Sequence, residues 1–153
     1  MKISLVDPAD ERVKPMLEQH LAEMHATSPP ESVHALDVDG LRHPDISFYV
    51  GEDYGDVFVC GALKRLGAYE GEIKSMRTVE TARGRGLASA MLEHLLTVAR
   101  SRGYRVIRLE TGSEDYFAPA RRLYARHGFA VGEPFADYLV DPNSVYMHLH
   151  VGG

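Results

Sequence analysis

The chain has a single cysteine, no apolar run near the roughly 20 residues a membrane-spanning helix needs, and no excess of basic residues. Each lack removes a class of function. One thiol forms no internal disulfide, and Val57-Phe58-Val59-Cys60 has the pattern of a buried strand, so Cys60 is expected to be an inert core residue. Met1 to Val6 runs directly into Asp7-Pro8 without the pattern of a signal peptide, so the expectation is a cytoplasmic protein with no membrane partner. With 17 basic against 22 acidic residues the net charge is -5, the wrong sign for a general nucleic-acid binder, and no nucleic-acid partner is expected. Eight histidines are present, but His20 and His25 miss the helical i, i+4 spacing. His148 and His150 share a strand face without an acidic or third histidine neighbour in sequence, so no metal is expected.

What is present suits one core. At 153 residues with 44% hydrophobic side chains, the chain is too short for two ordinary domains, and residues 1–153 are expected to form one. Alternation and turn signals predict strands over 2–6, 46–50, 57–63, 72–79, 104–111, 129–131 and 144–151. Helical spacing predicts helices from about Ala9 to Ala26, a short one from about Glu31, a long one ending before Gly103, and one from about Ala118 to Gly128. Pro15 marks either a late start or a kink in the first helix. Strand 72–79 is expected antiparallel to 57–63 across a short link. The helix between 72–79 and 104–111 implies a right-handed crossover between parallel neighbours.

The most specific feature is Arg83-Gly84-Arg85-Gly86 running straight into the long helix. Gly84-x-Gly86-x-x-Ser89 nearly meets the dinucleotide fingerprint, which would make the chain a nicotinamide oxidoreductase, and Glu110 lies about where a ribose-binding acid is expected. Against this, the strand "EIKSMRTV" is half polar, four residues intervene before Gly84, and the third glycine position is Ser89. The reading that survives is an anion cradle. Helix N-termini present unsatisfied N–H groups and positive potential, and glycines let the backbone close on a diphosphate. Lys64, Arg65, Lys74, Arg77, Arg83 and Arg85 supply a local basic concentration in an otherwise acidic chain.

Arg83-Gly84-Arg85-Gly86-Leu87-Ala88 resembles the Arg/Gln-x-x-Gly-x-Gly/Ala motif of the GNAT acyl-CoA-dependent N-acetyltransferases. Ala120, Leu123, Tyr124, Gly128 and Phe129 resemble a second GNAT segment, and the order of predicted elements is that superfamily's. The resemblance covers nearly the whole chain. It implies an α/β (α+β) GNAT fold: a mixed, mostly antiparallel sheet of six to seven strands, helices on both faces, and a splay between strands 72–79 and 104–111. It implies acetyl-CoA as co-substrate, with acetyl transfer to a primary amine of a small molecule. Arg83, Gly84, Arg85, Gly86, Leu87 and Ala88 would take the pyrophosphate, chiefly through backbone N–H groups. Met76, Arg77 and Thr78 would offer backbone to the pantetheine arm as an added strand would.

Tyr124 would be the general acid toward the leaving thiolate. A general base is also needed, because an amine with a pKa of about 10.4 is neutral in fewer than roughly one molecule per thousand at pH 7. Glu72 and Glu110, on the two splaying strands, rank together ahead of Glu70. Tyr116, Phe117, Phe135 and Tyr138 are candidates for the pocket wall. Where many GNATs carry an asparagine before the second motif, this chain has Phe117, which puts cofactor contacts from that turn in question. A non-catalytic CoA-binding module, a protein-lysine acetyltransferase and a homodimer are compatible with the same residues.

Overall fold

The structure, a computed structural model, describes residues 1–152. Its elements are β1 (Lys2–Leu5), α1 (Lys14–Thr27), α2 (Val38–Leu41), β2 (Ile46–Asp53), β3 (Asp56–Arg65), β4 (Glu70–Thr78), α3 (Leu87–Ser101), β5 (Val106–Gly112), α4 (Ala118–Arg126), β6 (Ala130–Gly132) and β7 (Ser144–His150). They form one seven-stranded sheet in the order β1-β2-β3-β4-β5-β7-β6. The β4–β5 pairing is parallel and the others are antiparallel, as expected from the helix that separates β4 from β5.

Local chemistry explains where boundaries differ from the sequence pattern. The first helix starts at Lys14, not near Ala9: the Asp7 and Asp10 side chains accept from the amides of Ala9 and Arg12, each at 2.9 Å, and hold the preceding residues in turns. Pro15 then lies in the first helical turn, where its missing N–H costs nothing. Pro30 to Ser32 form only a short 3-10 turn, and the second helix begins at Val38, where the Asp37 carboxylate caps it by accepting from Gly40 N at 2.8 Å. The β2–β3 hairpin closes through Tyr54 and Gly55, both at positive φ, the two-residue turn that suits strand twist.

The sheet separates two apolar layers. On one face β3, β4 and β5 contribute Leu63, Ile73, Ile107 and Leu109 against Met91, Leu92 and Leu95 of α3 and Leu123 and Tyr124 of α4. On the other, Phe48, Val50, Cys60 and Ala62 pack with Val13 and Leu17 of the α1 region and Leu41 of α2. Cys60 is fully buried and its thiol pKa is pushed up to about 12 by desolvation, as suits a core residue.

One irregularity opens the sheet. Along β3, Ala62 pairs with Lys74 but Cys60 pairs with Arg77, so Ser75 and Met76 together oppose Gly61. Ser75 takes φ of +55°, and the Cys60 thiol donates to its carbonyl at 3.2 Å. A β-bulge of this kind bends its strand. The β4–β5 ladder runs only from Glu70–Val106 to Ile73–Leu109, while β5 stays paired with β7 through Gly112. Beyond Ile73 the two central strands part, and the site lies in that gap.

Candidate active site

A cleft of about 570 Å³ runs from the start of α3, along β4, to the far face of the sheet. At its α3 end, β4 passes through a 3-10 turn (Glu80–Ala82) into the glycine loop. Gly84 and Gly86 hold φ of +81° and +76°, with nothing within 4 Å of where a Cβ would stand. Their requirement is therefore conformational, and the space above them is open. No side chain caps α3, and the amides from Gly84 to Ser89 have no acceptor among the described residues. This is the geometry of an anion cradle at a helix start.

Arg83 donates to the Thr78 carbonyl at 3.4 Å and lines the cleft, whereas Arg85 lies over the Phe58 ring at 5.2 Å with its side chain outside the lining. The lining also includes Arg122 and Arg126, one turn apart on α4, which belong to neither motif and whose only sign in the sequence is their i, i+4 spacing. The end of α4 is tied to the start of α3 by the Ser89 hydroxyl, 3.1 Å from His127 Nε2.

Along the middle, Met76, Arg77 and Thr78 line the cleft on the part of β4 whose β5-facing edge has no strand partner. That free edge is where an extended amide-bearing chain could add as a strand. The Arg77 side chain turns to α1 and donates to Glu23 at 2.6 and 3.1 Å, and the Tyr116 hydroxyl donates to the same carboxylate at 2.6 Å. These contacts hold the Glu23 pKa well below the usual carboxylate range. Tyr116, Phe117 and Tyr138 line the cleft, as anticipated; Phe135 instead packs behind, against Tyr138 and Tyr146. Phe117 fills the hollow over Gly112, so its turn presents an apolar ring and no amide side chain.

At the gap itself the acidic candidates separate. Glu70 pairs with Arg108 at 3.1 Å, outside the cleft lining. Glu72 is 2% exposed and committed: Lys74 Nζ lies at 3.1 Å, and the Tyr138 hydroxyl donates to the same oxygen at 2.5 Å. Lys74 also donates to Tyr138 at 2.8 Å, closing a triangle between β4 and the β6–β7 loop. Glu110 lines the cleft with only a 3.4 Å contact from the Ser144 hydroxyl. Burial pushes its pKa up to about 7, opposed by the Lys74 charge and the Ser144 contact. Tyr124 reaches the cleft from α4; its hydroxyl has no hydrogen-bond partner among the described residues. Its pKa is raised, first by burial and then by the Glu110 charge. The gap thus brings together one carboxyl that titrates near neutrality and one phenol that stays protonated, the division of roles that acid–base chemistry needs.

Comparison with known proteins follows the same lines. The acetyltransferase (GNAT) family matches residues 13–129. The uncharacterized N-acetyltransferase YsnE of Bacillus subtilis is 46% identical over 147 residues, covering 96% of this chain and 97% of its own. A solved structure from Klebsiella pneumoniae, provisionally assigned as an acyl-CoA N-acyltransferase, superposes with a TM-score of 0.83 at 26% identity, covering 98% of this chain and 97% of its own. An aminoglycoside 6'-N-acetyltransferase crystallised with coenzyme A superposes with a TM-score of 0.72 over 99% of this chain and 97% of its own; at 13% identity it shares the fold alone.

Proposed function

Because the chain belongs to the GNAT family of N-acetyltransferases, we propose that it transfers an acetyl group from acetyl-CoA to the primary amine of a small molecule, with Glu110 taking a proton from the amine and Tyr124 giving one to the departing sulfur. All 153 residues serve this one catalytic unit. Acetyl-CoA supplies the acetyl group as an activated thioester. The open amides of Gly84 to Ala88, with the guanidinium groups of Arg83, Arg122 and Arg126 nearby, suit its phosphates. The unpaired edge at Met76, Arg77 and Thr78 suits its amide-bearing arm.

The single observation that carries the reading is the placement of Glu110 and Tyr124 in the lining of one cleft, at the gap where β4 and β5 part. An ammonium entering the gap must lose its proton before its nitrogen can attack, and Glu110, poised near neutrality, accepts it directly or through a water. The Tyr124 phenol, kept protonated by burial, donates to the sulfur as the carbon–sulfur bond breaks, and the second proton that the nitrogen loses on becoming an amide restores the phenol. Glu72, held by Lys74 and Tyr138, organises the wall and does not serve as the base. A small acceptor is favoured because the cleft lining includes Val33, His34 and Ala35 from one loop and Tyr138 from another, with the His34 and Tyr138 rings meeting edge-on at 4.9 Å. The test is amine-dependent release of CoA with a matching acetylated product by mass spectrometry; CoA binding without product from any amine would reduce the chain to a binding module.

A further inference from the structure

We propose that the acceptor carries a carboxylate next to its amine, as an amino acid does, and that Lys74 selects it. The inference rests on the acetyl-transfer reading and adds the substrate class. Its starting point is the strand register. The parallel ladder pairs Glu72 with Arg108 and Ile73 with Leu109, and then stops. The next residues in step are Lys74 and Glu110, so these two stand opposite each other at the first position where β4 and β5 have separated. Ile73 and Leu109 point into the α3 layer, so Lys74 and Glu110 point to the other face, where both line the cleft.

Lys74 is built for a ligand at that spot. An ammonium has three N–H donors. Two are used, on Glu72 at 3.1 Å and Tyr138 at 2.8 Å, and the third has no acceptor among the described residues. Its side chain is 9% exposed, so the charge is fixed in place and shielded from bulk water. An ion pair this buried is weak grounds for stability, since apolar residues of similar volume often serve as well. Its presence in the cleft wall fits a binding task.

The other cations are committed elsewhere. Arg77 is engaged with Glu23. Arg83 adjoins the glycine loop, and Arg122 and Arg126 lie on the helix joined to the α3 start. Lys74, although paired with Glu72, is the cation that stands opposite Glu110 with a donor still free, and so the one placed to meet an anionic group at the reacting end.

The dimensions agree. In an amino acid the nitrogen and the carboxylate carbon are about 2.5 Å apart. With a hydrogen bond of about 2.9 Å at each end the molecule reaches about 8 Å, more than the roughly 4.8 Å between paired strands, so it needs the splay that begins at this register position. One molecule can thus present its amine to Glu110 and its carboxylate to Lys74.

The experiment is a matched panel of L-amino acids, their primary amides and their decarboxylated amines, scored by acetyl-CoA-dependent thiol release. The expected result is a preference in kcat/KM of about 10- to 100-fold for the acids, the worth of one charge-assisted hydrogen bond. Lys74→Arg should keep most of the preference and Lys74→Met should abolish it. Because Lys74→Met strands the Glu72 carboxylate, the double variant Glu72→Gln/Lys74→Met, which removes both charges, is measured alongside and should also show no preference. Amides turned over as well as acids, or a preference that survives both variants, would overturn the proposal. Calorimetric titration of the same panel separates it from the transfer reading: acids binding more tightly than amides, with no turnover, would uphold the Lys74 assignment while the reaction fell. Binding without regard to the carboxylate, or none, would remove the assignment itself.

Discussion

Replacing Glu110 with glutamine should make the protein more stable at alkaline pH while disabling it. Burial raises this carboxyl from 4.5 to about 7. Between those values the folded protein holds a proton that the unfolded chain has released, so folding stability falls as pH rises through that window. At about 1.4 kcal/mol per tenfold change, the charged form costs on the order of 3 kcal/mol above pH 7, an upper figure because relaxation and water entry reduce it. Glutamine mimics the protonated form without the titration. Urea unfolding should therefore give equal stabilities for wild type and Glu110→Gln below about pH 4.5, and a gain for the variant that grows to as much as ~3 kcal/mol by about pH 8, with turnover reduced at every pH. A gain independent of pH would show that folding leaves the Glu110 carboxyl unshifted, and a variant less stable at about pH 8 would show that the folded protein favours the carboxylate; either would refute the reasoning.

Other substitutions probe the remaining parts of the cleft. Tyr124→Phe removes a hydroxyl that bonds to no protein group, so melting should be nearly unchanged and CoA affinity preserved while turnover falls by about 100-fold or more; equal turnover would end the acid role. Gly86→Ala puts a Cβ on a residue at φ of +76°, at a cost of about 1–2 kcal/mol, and should reduce the thermal protection given by CoA; full protection would show that the loop conformation is dispensable. Arg77→Met strands the part-exposed Glu23 carboxylate and should destabilise by about 2 kcal/mol, with loss of the Tyr116 contact to α1; unchanged chemical denaturation would mean that the ion pair contributes nothing.

The parts of this site that the sequence discloses are those fixed by neighbours along the chain. The glycine loop is legible because positive φ at Gly84 and Gly86 is a property of the residue type, and α3 and α4 because their apolar faces recur at helical spacing. The start of α2 was also written locally, in the Asp37 cap, but the prolines at 29 and 30 drew the boundary too early. What sequence cannot rank is the pair Glu72 and Glu110. Both are glutamates on adjacent strands; one is committed by a tyrosine 66 residues away, and the other is left to titrate by the burial around it. The opening between β4 and β5 depends on a bulge centred on Ser75, a residue type that gives no sign of its positive φ. Arg77 likewise carried a backbone assignment, because its ion-pair partner lies 54 residues back.

The central claim is that Glu110 takes the proton of an attacking amine. Its most direct test is the pH dependence of kcat/KM for acetyl-CoA-dependent acetylation of the best amine, measured in wild type and Glu110→Gln. Activity requires the carboxylate, so the account predicts a rise in wild type with a midpoint near pH 7 and no such limb in the low residual activity of the variant. A limb near pH 7 that persists in Glu110→Gln would contradict it.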